Sequence, residues 1–174
     1  MNFKIDKTIE ILERTPEILI VMLQGISPEW TTNNESGETW SVYDIIGHLI
    51  HGEKTDWMPR VEIIISDKPE KTFEIFDRFA QFKESKEKSL IQLLDEFKSL
   101  RRINLDKLFA MELADKQMEE KGIHPSFGEV RLSQLLAAWV VHDLNHISQI
   151  SRVIAKQYTE EVGPWIEYLR ILKQ

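Results

Sequence analysis

The chain has 174 residues, with 22 basic and 29 acidic side chains and a formal net charge of -7. This length fits one domain over residues 1–174, and the acidic excess disfavours nucleic acid as a partner because Lys and Arg supply most of the affinity for phosphate backbones. The sequence has no cysteine, which excludes disulfides and a cysteine nucleophile. It shows neither a signal peptide nor an apolar run long enough for a bilayer, so we expect a cytoplasmic protein without a membrane partner.

Glycine and proline are scarce, with seven and six residues, and this favours long helices. Apolar residues recur at helical spacing in four main stretches. The predicted helices cover residues 16–25 (after a shorter amphipathic segment at 6–13), about 42–65, about 83–110 (with a solvated start at the charge run 83–88) and about 131–158. Four helices without a convincing strand pattern predict an all-α helix bundle.

Local signals mark the start and a break of the second helix. Ser41 and Asp44 have the spacing of a capping box, so the helix is expected to begin there. Pro59 lies inside the continuing pattern and predicts a kink or a stop near Met58. The second helix is therefore expected in two parts.

Two connections carry further signals. The link at residues 66–82 contains four phenylalanines, which we expect to cap one end of the core and not to form a cofactor pocket: Phe73, Phe76, Phe79 and Phe82. The connection at residues 115–130 is rich in turn residues and has room for a small hairpin. Neither connection contains a phosphate-binding glycine motif, which disfavours a nucleotide-dependent enzyme.

His142 and His146 are the residues that point most directly to chemistry. A separation of four residues places them on one face of the fourth helix, roughly 6 Å apart along its axis. The phase of Trp139 and Ile150 turns that face toward the core. Each imidazole has two polar ring nitrogens, and burying either one without a partner costs free energy. Two imidazoles on a buried face therefore favour a metal site, in which the metal binds one nitrogen of each ring. Two hydrogen-bonded core histidines are the alternative.

A metal site needs a third protein ligand, and three histidines are candidates. His48 lies on the flank of the apolar stripe of the second helix, whereas His51 falls on the far side. His124 stands beside Pro125 in a loop and can cover a site there, although a surface role is more common. We therefore prefer His48.

Asp143 and Gln149 flank the ligand face and can orient ligands or a bound water. Ordinary hydrogen bonds between helices explain both residues equally well. No fourth ligand is evident, since Glu53 lies one position beyond the favourable spacing from His48, and an open site is typical of catalysis. Because ligand imidazoles must be neutral, we expect metal affinity to fall as the pH drops through about 6.5.

Four segments resemble the DinB-like superfamily: residues 40–49 (WSVYDIIGHL), 76–79 (FDRF), 139–150 (WVVHDLNHISQI) and 162–165 (VGPW). The resemblance covers nearly the whole chain and is strongest to the branch that includes bacillithiol transferases and related metal-dependent hydrolases. Arg131 departs from the threonine cap common among such relatives. This departure concerns the start of a helix and not the site.

The resemblance implies an up-down-down-up four-helix bundle, commonly a homodimer, with a divalent metal such as zinc or nickel on His48, His142 and His146. Helical phase selects the same three residues. We favour a thiol S-transferase in which a low-molecular-weight thiol of the bacillithiol type attacks a small electrophilic substrate. A metal-dependent hydrolase and a non-catalytic, stress-related metal-binding bundle are the alternatives.

Overall fold

Helices make up most of the chain, and capping and helix-breaking residues set several of their ends. The computed structural model describes residues 3–173. Within this range the helices are α1 (Ile5–Leu12), α2 (Arg14–Leu23), α3 (Glu29–Thr32), α4 (Val42–Thr55), α5 (Trp57–Ile65), α6 (Ala80–Glu84), α7 (Leu90–Ala110) and α8 (Leu132–Lys156), and the strands are β1 (Lys121–His124) and β2 (Gly128–Arg131). None of these helices has both the length and the apolar composition to cross a membrane. The one-domain organisation stays a prediction.

The second predicted helix begins and breaks for identifiable reasons. Ser41 Oγ accepts the Asp44 N–H at 3.2 Å and Asp44 Oδ2 accepts the Ser41 N–H at 2.9 Å, which confirms the capping box. The break between α4 and α5 falls at Asp56, slightly before the predicted position. Pro59 explains the offset, because a proline cannot donate to the carbonyl four residues earlier and clashes with it; that carbonyl belongs to Thr55, the last residue of α4.

The link between α5 and α6 is bonded to the predicted hairpin, whose strands β1 and β2 pair antiparallel. The Phe73 N–H donates to the Ile123 carbonyl at 2.9 Å, and the Ile123 N–H donates to the Lys71 carbonyl at 2.8 Å. Gly122 makes this approach possible, since a Cβ there would lie 2.5 Å from the Phe73 ring. The link and the hairpin therefore form one layer against the bundle.

The expectation that the four phenylalanines cap the core holds only for Phe73, which is 3% exposed. Phe79 and Phe82 are 66% and 47% exposed, and their rings stack at a centroid distance of 6.2 Å. Phe76 packs elsewhere, against the His48 ring. In an irregular segment a spacing of three does not place side chains on one face, so the sequence pattern overstated their common role.

The bundle core consists of two apolar clusters with a buried polar layer between them. One cluster includes Trp57 on α5, Leu105 on α7 and Trp139 on α8. The other includes Ile50 on α4, Phe97 on α7 and Ile150 on α8. The charged residues of this polar layer come one each from α4, α7 and α8: Glu53, Arg101 and Asp143.

The Arg101 guanidinium is the centre of this polar layer. Its Nε and Nη2 donate to Glu53 Oε1 at 3.0 and 2.7 Å, and its Nη1 and Nη2 donate to Asp143 Oδ2 and Oδ1 at 2.6 and 3.0 Å. Nη1 also donates to the Leu12 carbonyl at 2.8 Å. These contacts use all five guanidinium hydrogens. One side chain thereby connects α1, α4 and α8 through α7.

Glu53 has further partners that fix its carboxylate. Asn104 Nδ2 donates to Glu53 Oε2 at 2.9 Å, and Trp139 Nε1 donates to Glu53 Oε1 at 3.1 Å. Burial raises the pKa of Glu53, while Arg101 and Asn104 act in the opposite direction. The carboxylate is thus fully engaged and unavailable as a fourth metal ligand.

Replacing Arg101 with methionine is expected to lower the free energy of unfolding by about 3 to 5 kcal/mol, because it leaves two buried carboxylates without a counter-charge. Urea denaturation followed by circular dichroism measures the loss. The matched control is Arg102→Met, since the Arg102 side chain is 84% exposed and its removal should cost at most about 0.5 kcal/mol. Similar losses in both variants would contradict a central role for the buried guanidinium.

Candidate metal centre

Three histidines from two helices meet at one point. His48 Nε2 on α4 lies 3.1 Å from His142 Nε2 on α8, and His142 Nε2 lies 3.1 Å from His146 Nε2. One ring nitrogen of each lies within 4.8 Å of the others. Helical phase explains the arrangement, because positions 142 and 146 share the face of α8 that packs toward α4. The structure brings the predicted set together, and metal binding by this set stays a prediction.

The other two candidate histidines lie outside this cluster. His51 is 5% exposed, and its Nδ1 lies 3.2 Å from Glu84 Oε1 on α6. His124 is in the hairpin, where its Nδ1 accepts the N–H groups of Ser126 and Phe127 at 3.1 and 3.3 Å. The choice of His48 as the third member of the cluster therefore agrees with the geometry.

The distances from His142 Nε2 to the other two Nε2 atoms fit a divalent cation. Two imidazole nitrogens bound to a tetrahedral zinc ion at 2.0–2.1 Å are about 3.3 to 3.4 Å apart, close to the observed spacing of 3.1 Å. Without a cation, His142 Nε2 can make only one linear hydrogen bond, although it has two close nitrogen neighbours. Three neutral imidazoles also suit zinc or nickel chemically and leave coordination positions open.

Gln149 orients one of these rings. Its Oε1 lies 2.8 Å from His146 Nδ1, so it accepts that N–H and leaves the His146 Nε2 lone pair facing the cluster. The Nδ1 atoms of His48 and His142 are buried and have no hydrogen-bond partner among residues 3–173. Gln149 thus gives the only side-chain hydrogen bond to a cluster Nδ1 in the described chain.

Asp143, the second residue expected to flank the ligands, has a different role. Its carboxylate binds Arg101 and contacts none of the three imidazoles through a hydrogen bond. Asp143 directly follows His142 on α8, so its side chain leaves the helix toward α7 while the imidazole faces α4. Of the two roles considered for Asp143, hydrogen bonding between helices is the one that its contacts match.

Aromatic rings enclose the cluster. The Trp40 and Phe76 rings lie 4.8 and 5.5 Å from the His48 ring between centroids, and Trp57 lies 5.1 Å from the His142 ring. These contacts position the two imidazoles whose Nδ1 atoms have no hydrogen-bond partner in the described chain. Phe76 and Phe79 also line the cavity, which the spacing of the phenylalanines in the sequence did not indicate.

A cavity of about 830 Å³ leads to the three imidazoles. Its size is typical of sites for small molecules. Most of its wall is apolar, and its charged side chains are Asp56, Arg60 and Arg78. Sequence reasoning missed these three because they lie at a helix break, on the following helix and in an irregular link, where no periodicity marks them.

Burial lowers the pKa of all three clustered histidines. It brings the pKa of His48 to about 3 and that of His142 to about 2, with the neighbouring His146 acting in the same direction. The pKa of His146 is also lowered by burial, against the hydrogen bond to Gln149. The free imidazoles are therefore neutral at pH 7, the state that binds metal. Loss of metal on acidification is accordingly expected below the pH of about 6.5 inferred from the sequence.

The metal-free protein should lose stability as the pH falls from about 8 to about 5. The unfolded chain takes up protons on its histidines below about pH 6.5, while the folded chain keeps these imidazoles neutral, so protonation favours unfolding by up to about 1.4 kcal/mol per pH unit for each group. Denaturation with urea at several pH values in the presence of a chelator measures the slope.

The slope should be smaller in His142→Asn, which lacks one of the titrating groups. Asp56, whose pKa burial raises, is present in both proteins, so its contribution cancels in the comparison. An identical slope in the variant would show that the His142 imidazole is not kept neutral by the fold.

Comparison with known proteins supports the fold. The sequence profile described as the DinB superfamily matches residues 11–150. Among solved structures, the chain is similar to YfiT from Bacillus subtilis, described as a probable metal-dependent hydrolase with an unusual four-helix bundle topology, at 21% identity and a TM-score of 0.73, over 87% of this chain and 86% of that one. A search of curated proteins finds no significant match. The predicted four-helix bundle is confirmed.

Proposed function

The chain belongs to the DinB superfamily, and from this premise we propose that it is a divalent-metal-dependent enzyme acting on small molecules, with His48, His142 and His146 as the metal ligands. The observation that carries the proposal is the convergence of three Nε2 atoms, with successive spacings of 3.1 Å, at the end of an apolar cavity. Three ligands leave room for a substrate, whereas a structural site is normally closed by a fourth.

A bound zinc or nickel ion would supply Lewis acidity, which lowers the pKa of a coordinated thiol or water toward neutrality. The protein's own residues prepare the site for this role. Burial keeps the imidazoles unprotonated, and Gln149 fixes the tautomer of His146. Trp40 and Phe76 shield the site from bulk water and so strengthen electrostatic interactions within it.

For the reaction we propose transfer of a low-molecular-weight thiol, such as bacillithiol, to a small electrophile. The chain has no cysteine, so the sulfur must come from a cosubstrate. The cavity offers few groups for protein acid–base chemistry: Asp56 is the only carboxylate among the described lining residues, and its Oδ1 lies 2.6 Å from Arg60 Nε in an ion pair. An ionised thiol attacks without a protein base. A cavity wall with few acid–base groups is therefore compatible with thiol transfer.

Metal-dependent hydrolysis is the second candidate. The description of YfiT favours it, as a statement about that protein. A hydrolase needs a group that takes a proton from the attacking water or gives one to the leaving group, and the cavity wall offers the Asp56 carboxylate and the His124 imidazole for this. Burial raises the pKa of Asp56, in the direction that suits such a role.

Metal binding is tested by alanine substitutions. His142→Ala and His146→Ala are each expected to abolish stoichiometric binding of zinc or nickel, because two remaining imidazoles make a weak site. Metal content of untagged protein, measured by mass spectrometry after dialysis, gives the result. His51→Ala is the control, since His51 is a buried histidine on α4 that contacts Glu84 instead of the cluster. Equal loss of metal in His51→Ala would overturn the ligand assignment.

The two reactions are separated by their requirement for thiol. If the protein is a thiol transferase, loss of a haloaromatic electrophile should require both metal and thiol, and Asp56→Asn should keep most of the activity. If it is a hydrolase, ester cleavage should proceed without thiol, and Asp56→Asn should slow it about 10²- to 10⁴-fold. Neither reaction above background, with metal still raising the melting temperature, would indicate a binding protein.

Three further expectations stay predictions: the homodimer, the cytoplasmic location and the exclusion of nucleic acid. The first is the simplest to measure, since light scattering after gel filtration gives the mass of the assembly directly. None of the three is needed for the site chemistry, because every residue assigned to the metal and to the cavity wall comes from one chain.

A further inference from the structure

The charges on the cavity wall do not follow the charge of the whole chain. The protein has 29 acidic and 22 basic residues, yet the charged side chains that line the cavity are two arginines and one aspartate. Basic residues thus outnumber acidic ones on this surface, the reverse of the balance in the whole chain. A positive potential in an apolar cleft attracts small anions more strongly than the same charge does on an open surface.

One of the two arginines is already neutralised. Arg60 Nε lies 2.6 Å from Asp56 Oδ1, and the Arg60 guanidinium also rests over the Phe73 ring at 5.2 Å from its centroid. Both members of the ion pair are largely buried. This pair therefore contributes little net charge to the cavity, and its role is structural.

The other arginine has no such partner. Arg78 forms neither a hydrogen bond nor an ion pair with any side chain or carbonyl among residues 3–173. Its neighbour Asp77 forms no ion pair with it in the described part of the chain; Asp77 Oδ1 instead accepts the Phe79 N–H at 2.9 Å. Arg78 stands on the link between Phe76 and Phe79, two rings of the cavity wall. An unpaired guanidinium is thereby held beside apolar surface.

We propose that the substrate of this site is a small organic anion with an apolar or aromatic body, whose carboxylate or phosphate is bound by Arg78. The five donors of a guanidinium match both kinds of anion, and its planar fork binds them in a bidentate manner. The apolar body of the substrate packs against the aromatic wall, and the reactive group of the substrate extends to the imidazoles. The identity of the reacting centre rests on the proposed function, whereas the preference for charge is a separate property of the cavity.

The preference is tested with molecules that share a phenylethyl body and differ in the polar group. The probes are 3-phenylpropanoate, its neutral amide 3-phenylpropanamide, and 2-phenylethyl phosphate. Binding to the full chain is measured by ligand-observed NMR or calorimetry at low salt, both with zinc and with a chelator. The chelated sample is decisive, because an anion can bind a metal directly and so hide the contribution of Arg78.

In the chelated protein the propanoate should bind about tenfold more tightly than the amide, the factor expected of one charge-assisted contact. Arg78→Gln should remove this difference, and Arg78→Lys should retain part of it. Arg102→Gln, at an exposed arginine of α7 outside the cavity, should leave it unchanged. Whichever anion binds more tightly to the wild type and is weakened by Arg78→Gln identifies the anionic group as carboxylate or phosphate.

Equal affinity for the propanoate and the amide in the wild type would overturn the proposal, as would an Arg78→Gln protein that binds the anions like the wild type. Failure of the proposed function has a different signature. If the protein binds no metal but still distinguishes anion from amide through Arg78, the anion site stands and the metal-dependent reaction is lost. If it binds metal without that distinction, only the substrate class is wrong.

Discussion

The buried charge of Arg101 imposes the constraint on which the site depends. A guanidinium that is 2% exposed is tolerable only if its counter-ions reach it, and these are Glu53 on α4 and Asp143 on α8. Glu53 follows His48 by little more than one helical turn, and Asp143 is the neighbour of His142. The axial register of the two helices that satisfies the ion pairs is therefore the register that brings the imidazoles together. Apolar contacts between α4 and α8 are not directional, whereas the hydrogen bonds of this ion-pair network are, so the network fixes the axial register of the two helices more narrowly.

The sequence predicted the centre of the site better than its surroundings. Two histidines four residues apart on an apolar helix face have few arrangements, and the phase of α4 was enough to prefer His48 over His51. The Arg101 network was missed, although a signal exists. Buried residues recur at helical spacing along α7, and two polar residues interrupt the apolar ones: Leu94, Phe97, Arg101, Asn104 and Leu108. Such polar residues need partners, but the sequence does not say on which helix.

The wall of the cavity could not be predicted for a different reason. Phe76, Arg78 and Phe79 lie in a segment without regular secondary structure, where each backbone angle is set by tertiary contacts and not by a repeating pattern. Asp56 reaches the cavity because proline ends α4 at Thr55, and the sequence located that break only approximately. Periodicity thus predicts which residues a helix buries, but not what an irregular connection brings over them.

The hydrogen bonds that join the link to β1 separate the molecule into two parts with different freedom to change. The helices hold the imidazoles and the buried ion pairs, so substitution of a buried polar residue there disturbs both stability and the centre. The link and the hairpin share backbone hydrogen bonds at Phe73 and Ile123 and together carry Arg78, His124 and Phe127 to the mouth of the cavity. The residues of this layer can therefore change, and with them the shape and charge of the cavity mouth, while the helices keep the three imidazoles in place.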